Sequence, residues 1–269
     1  MNAVLSRNVS RLVRARPAQP QSAWANGDYA VVGNALQVVS EELCETVNLC
    51  QDDRVLDVAA GNFHASLAAA RRWCDVTAAN YAPEVHSRTA SRAEAEAVGV
   101  CFIERDAEAL PFGDQSFQSV VSAFGAMFAA DQERAASEMI RVVQRGRRIG
   151  LANWTPQGFI GQLSAMVARH GAVTAHASTH HSPFEWGTTE RLEELFGAYG
   201  SVWSTRKCVS LRSSTPMDWV DKLRAGYLPA LKTFALRAEL LELVERFNRA
   251  DDGSMVVEAE YLEVVITRR

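Results

Sequence analysis

The chain has 269 residues, 48% of them hydrophobic, which suffices for a sizeable core in one large domain or two small ones and excludes a disordered or fibrous polymer. Its 28 Lys and Arg against 32 Asp and Glu leave a formal charge of −4 with no long basic block, so the electrostatic footprint of a nucleic-acid binder is missing and the expected partner is a small molecule. No apolar run approaches the ~18 residues of a membrane span, and five cysteines (Cys44, Cys50, Cys74, Cys101 and Cys208) without C-x-x-C spacing read as reduced thiols rather than disulfides or a zinc site, so a cytoplasmic protein is expected.

Residues 1–23 carry Arg7, Arg11, Arg14 and Arg16, while Pro17 and Pro20 break any helix early. A flexible tail is expected there, ahead of a single domain over 24–269. Tyr29 to Asn48 predicts a helical lead-in covering the cofactor side, with Val31, Ala35, Leu36, Val39 and Leu43 apolar at helical spacing. From Arg54 short apolar runs alternate with helical patterns, which predicts a doubly wound, mostly parallel sheet of the Rossmann-like α/β class. The predicted strands are Arg54 to Ala60, Asp75 to Asn80, Val100 to Asp106, Phe117 to Phe124 and Arg148 to Trp154; the helices between them are Ala65 to Trp73, Pro83 to Val98 and Asp131 to Val143. Then follow a helix over Phe159 to His170, a polar stretch GAVTAHASTHHSPFEWG too long for a simple connector, and a helix over Thr188 to Tyr199 with Thr188 or Thr189 as N-cap. Ser201 to Leu211 reads as a strand, Thr215 to Asn248 as mostly helical, and Ala259 to Thr267 as a final strand, making seven in all. Residues 155–257 are expected to supply lid and substrate-pocket elements.

Sheets of this kind bind ligands beyond the carboxyl ends of their strands. The stretches there are DVAAGNFHA, ANYAPE, RDAEALPF, SAFGAMF and NWTPQGF. Together they resemble the class I S-adenosylmethionine-dependent methyltransferases, in the small-molecule branch that includes the ubiquinone and menaquinone enzymes. DAEALPFGDQSF is the most specific part, and LANWTPQGFIGQL extends the likeness. A dehydrogenase is disfavoured because the glycine turn is not G-x-G-x-x-G.

The resemblance implies S-adenosylmethionine as cofactor, no metal, and the following site. Asp57 and Gly61 meet the methionine end, with Ala59 in the same turn. Asn80, beside Tyr81, stands where the family has an acid for the ribose hydroxyls, and a neutral amide forfeits charge-assisted bonds about twice as strong. Asp106 and Ala107 hold the adenine, Ser122 lines the sulfonium side together with Ala123 and Phe124, and Tyr29 or Trp24 closes over the cofactor. The family turn reads acid-x-Gly-x-Gly-x-Gly, and this chain has Ala59 and Phe63 at the first and third glycine positions. Alanine costs little if φ is negative; Phe63 is either an outlier at positive φ or, at ordinary φ, places its ring in the helix interface or across the cofactor. The family's Pro-Gly-Gly before the fifth strand is here Arg145, Gly146 and Arg147, in a turn remote from the cofactor.

His64 is a weak candidate for a general base. His170, His176, His180 and His181 lack the helical spacing and the acids of a metal motif, and His180 or His181 suits a substrate lid instead. Phe124, Trp154, Phe184, Trp186, Trp219 and Tyr227 suit an apolar substrate pocket. The expected activity is methyl transfer to a small, apolar metabolite. Asn80 and Phe63 keep a second reading open: a methyltransferase-fold binding module, cyclase or isomerase that has lost methyl transfer.

Overall fold

The computed structural model describes residues 30–80, 84–170, 181–226 and 234–269. In chain order the elements are α1 (Ala30–Val47), β1 (Arg54–Val58), α2 (His64–Arg71), β2 (Asp75–Asn80), α3 (Glu84–Ala95), β3 (Val100–Glu104), β4 (Phe117–Ala123), α4 (Gln132–Val142), β5 (Val143–Trp154), α5 (Phe159–Arg169), α6 (Thr189–Phe196), β6 (Gly200–Ser213), α7 (Pro216–Gly226), α8 (Phe234–Phe247) and β7 (Met255–Arg268). Short 3-10 turns lie at Ala126–Phe128 and Pro183–Gly187.

The strands form one seven-stranded sheet in the order 3-2-1-4-5-7-6, parallel except for β7, which runs antiparallel to both its neighbours. From β1 the chain steps outward through β2 to β3, then returns to β4 and steps the other way to β5. Right-handed crossovers therefore put α2 and α3 on one face and α4 on the other. Helix α1 packs on α2, and α6 packs on α4 and β6.

Local chemistry sets several element boundaries. The Asp131 carboxylate caps α4 by accepting from the Arg134 N–H at 2.9 Å, and the Thr188 hydroxyl caps α6 by accepting from the Arg191 N–H at 3.3 Å. A reciprocal pair between Ser182 and Glu185 caps the 3-10 turn that begins at Pro183. Arg191, itself buried, bridges Gln132, Glu133 and Glu194 and so ties α4 to α6.

Two strands start at least four residues earlier than the sequence predicts. β5 begins at Val143 rather than Arg148, because Val143 pairs with Phe117 before the register jumps to Ser119 and Arg148, leaving Gln144 to Arg147 bulged out around Gly146 at φ 72°. β7 begins at Met255 rather than Ala259, because β6 and β7 pair along their whole length while β7 meets β5 only from Tyr261 onward. The overhanging halves form a two-stranded ribbon beyond the carboxyl edge, against which α5, α7 and α8 pack. Phe159 of α5 joins this layer to Trp219 and Phe247, with ring centroids 5.4 and 5.5 Å away.

The helical stretch predicted over Thr215 to Asn248 contains α7 and α8, with 227–233 outside the described residues. The tail at 1–23 and the residues Trp24, Tyr29, Tyr81, Pro83, His176, His180 and Tyr227 are also outside them. Among the described residues no helix is long and apolar enough to cross a membrane.

Candidate cofactor and substrate site

The turn between β1 and α2 is built from left-handed residues. Ala59, Gly61 and Phe63 have φ of 53°, 49° and 60°, so all three glycine positions of the family turn adopt the glycine conformation although two carry side chains. The negative φ under which alanine would cost little is therefore not the one Ala59 adopts. Each non-glycine residue held there costs about 1–2 kcal/mol. At Phe63 positive φ and core packing coexist: the ring is 0% exposed and meets Phe102 of β3 edge-to-face at 5.0 Å. The side chain therefore anchors the turn to the sheet.

Beneath the turn lies Asp57, 1% exposed. The Ser66 hydroxyl of α2 donates to its Oδ2 at 2.5 Å, while Oδ1 has no partner. Burial pushes its carboxyl up to about 7, although the bonds from Ser66 pull the other way. A buried carboxylate oxygen without a donor suits a cationic ligand group. Above the turn, a Cβ on Gly33 of α1 would stand 3.3 Å from Asn62 Nδ2 and 3.7 Å from His64 Nε2, so α1 covers this turn closely.

At the end of β2 the Asn80 amide is buried and donates to the Gly61 carbonyl at 3.5 Å, a long bond that still leaves its oxygen as an acceptor. Asp106 is exposed just beyond β3, one carboxylate oxygen accepting from the Glu108 N–H at 3.0 Å, and Ala107 beside it is buried. The Ser122 hydroxyl is fully engaged, donating to the Val58 carbonyl at 2.7 Å and accepting from the Ala126 N–H at 3.0 Å. It locks β4 to β1. Next to it a Cβ on Gly125 would collide with the Ala59 carbonyl oxygen, so the loop after β4 rests directly on the turn after β1.

Phe124 and Trp154, at the ends of β4 and β5, stack with centroids 3.9 Å apart, and Tyr261 meets Phe124 edge-on at 5.7 Å. Phe124 is itself left-handed, at φ 60°. Phe184 is buried and meets Phe128 at 6.2 Å. Trp186 and Trp219 are wholly buried, with their rings against Phe196 and Phe159.

His64 opens α2, with Nδ1 buried and unpartnered. Burial, then the charges of Arg92 and Arg71, lowers its pKa to about 4, which leaves a neutral imidazole and a weak base. His170 meets Glu239 at 3.0 Å and His181 meets Glu185 at 2.7 Å. Among the described residues no group of three or more potential metal ligands is present. Sequence reasoning passed over Ser66, whose signal is a lone hydroxyl in an alanine-rich helix, and Gly125, whose signal is a glycine directly after an apolar strand.

A family model for a methyltransferase domain matches residues 55–146. An uncharacterised protein of Mycobacterium tuberculosis is 36% identical over 224 residues, covering 82% of this chain and 81% of the relative. A demethylmenaquinone methyltransferase of Thermus thermophilus is 37% identical over 105 residues, 38% of this chain and 48% of that protein. In fold, the crystal structure of the YcgJ protein of Bacillus subtilis is similar with a TM-score of 0.59 at 19% identity, covering 88% of this chain and 99% of that one. With the strand order and the turn after β1, these likenesses establish that the chain belongs to the class I S-adenosylmethionine-dependent methyltransferases.

Proposed function

We propose that the protein transfers a methyl group to a small, largely apolar metabolite, holding its cofactor along the carboxyl edge of the sheet. The observation that carries the residue assignment is Asp57 Oδ1, buried and unpartnered at the end of β1. Bound there, S-adenosylmethionine supplies an electrophilic methyl on a sulfonium centre. Asp57 takes the ammonium group, and Ala59 and Gly61 present backbone to the methionine portion. Asn80 accepts from a ribose hydroxyl through Oδ1, with Tyr81 next to it. Asp106 accepts from the adenine amine and Ala107 packs beside the ring. Ser122 acts through its grip on Val58 and Ala126, which sets where the β4 loop meets the cofactor. Phe124 and Trp154, with Phe184, exclude water from the reacting groups. Because the methyl is already activated, positioning carries most of the catalysis.

The features that favour loss of methyl transfer have other accounts. Phe63 is turned into the core, and Asn80 keeps an acceptor oxygen while its amide braces the turn. Calorimetric titration with S-adenosylhomocysteine tests the assignment. Asp57→Ala and Asp106→Ala should each weaken binding about tenfold or more, as loss of a hydrogen bond to a charged group does, with circular dichroism unchanged. Equal affinity in both variants and the parent places the site elsewhere.

A further inference from the structure

Residues of β5 alternate between the two faces of the sheet. Gly150 faces α1, since a Cβ there would strike Val47 and approach Leu43. Trp154 shares that side with Tyr261, whose hydroxyl reaches Glu42 of α1 at 3.4 Å. Asn153 therefore faces the opposite layer, the one formed by α4, α6 and the Pro183–Gly187 turn. Its neighbours there, Leu151 along the strand and Leu262 across it, are buried and apolar.

In this layer, whose buried Gln132 and Arg191 are paired with each other, the Asn153 carboxamide is 1% exposed and its Nδ2 has no partner. The Trp186 indole is wholly buried in the same layer, and its Nε1 also lacks an acceptor. A buried donor left unmade carries its full desolvation penalty, so two of them in one layer call for an acceptor from outside the chain. Asn153 stands one residue from the carboxyl end of β5, where ligands of such sheets bind. Neither a hydrocarbon nor an ammonium group could satisfy it.

We propose that Asn153 determines specificity for the methyl acceptor: its Nδ2 donates to a carbonyl or carboxylate oxygen of the substrate, with Trp186 Nε1 as a second donor. The substrate is then an oxygen-bearing, otherwise apolar small molecule. This rests on the methyltransferase site proposed above. The test uses protein saturated with S-adenosylhomocysteine, whose binding is measured first, and a matched pair of probes, acetophenone and ethylbenzene, followed by nitrogen-15 NMR. Acetophenone is expected to bind about thirtyfold more tightly, the sum of two neutral hydrogen bonds. It alone should move the Trp186 indole N–H resonance, identified by its loss in Trp186→Phe. Asn153→Leu should shrink the preference markedly, with S-adenosylhomocysteine affinity unchanged and the melting temperature equal or higher. Absence of the preference, absence of ketone binding, or a preference that survives Asn153→Leu overturns the proposal. So does a clear drop in melting temperature in Asn153→Leu, which would make the carboxamide oxygen an internal acceptor for Trp186. Failure of S-adenosylhomocysteine to bind at all removes the cofactor reading instead, and this inference with it.

Discussion

Two buried carboxylates flank β1, and they are treated oppositely. Asp53, at the amino edge of the sheet, accepts from the Cys50 N–H at 3.0 Å and has Arg147 at 4.0 Å from its other oxygen. Asp57, at the carboxyl edge, leaves one oxygen without a partner. The left-handed residues divide in the same way. Asn48, Asp52, Trp73, Ala97 and Gln115 all precede strands at the amino edge, and each donates its N–H to a backbone carbonyl. There the conformation ends a helix or closes a turn. Ala59, Gly61, Phe63 and Phe124 adopt it at the carboxyl edge. At the carboxyl edge Phe63 and Phe124 likewise donate to backbone carbonyls, of Ala60 and Ala152, so the same backbone state closes turns at both edges, and only at the carboxyl edge does such a turn stand over an unpartnered carboxylate oxygen.

The largest expected effect tests whether Phe63 belongs to the core or to the cofactor. Phe63→Ala should lower stability by about 3 kcal/mol, the ordinary cost of deleting a buried aromatic ring, with S-adenosylhomocysteine affinity unchanged. Phe63→Gly should be about 1 kcal/mol more stable than the alanine variant, because glycine carries no left-handed penalty. Denaturant melts give both numbers, and tighter binding in either variant would mean that the ring obstructs the cofactor.

Next comes pH. An acid whose folded pKa stands near 7 against about 3.8 unfolded adds stability that is complete below about pH 4 and fades as pH rises through 7. Asp57→Asn should flatten that decline. An ammonium group at Asp57 draws its pKa down, so binding releases a proton, and S-adenosylhomocysteine affinity should climb by up to about tenfold per unit between pH 5 and 7. Titrations in buffers of different ionisation enthalpy detect the proton. Asp53→Asn should leave the slope intact; if it abolishes the slope, the two edges are not functionally distinct.

A smaller effect is expected at Asn80. Asn80→Asp gains a charged acceptor for the ribose, tightening binding by about 1 kcal/mol. It also sets a carboxylate against the Gly61 carbonyl, so melting should fall. Weaker binding would show that the bond to Gly61 matters more than the charge. Smallest are Ala59→Gly and Ala97→Gly, each expected to add up to about 1 kcal/mol by relieving a left-handed alanine. Only the former should alter cofactor affinity, and equal behaviour by calorimetry would erase the contrast between the edges.

The alternation of apolar runs and helical patterns made the sheet and its helices legible, because buried parallel strands and amphipathic helices leave strong periodic signals. Boundaries failed where tertiary pairing overrode the pattern: β7 extends back to Met255 because β6 pairs with it beyond the edge of β5. Asp57, Asn80 and Asp106 were legible through the family resemblance, which set them beside the carboxyl ends of the strands. The sign of φ at Ala59 was not, since alanine adopts either sign at modest cost. Nor could sequence separate Trp186 and Trp219, which are interior, from Phe124 and Trp154, which stack at strand ends, because an aromatic residue signals burial without saying beside what. Asn153 was hidden within the run LANW, where one polar letter in a strand is easily taken for an exposed position.

Gly125 presses on the carbonyl of Ala59 with no room for a Cβ. Two loops that a ligand would touch from different sides are therefore geared together at one point, like adjoining teeth. In a library randomised at positions 61 and 125, position 125 should admit almost nothing but glycine. Position 61, whose missing Cβ would meet only the Ala59 carbonyl at 3.9 Å, should be limited by its left-handed φ and so accept asparagine or aspartate as well. Variation in such a site is confined less by what the ligand needs than by how closely the chain has folded onto itself.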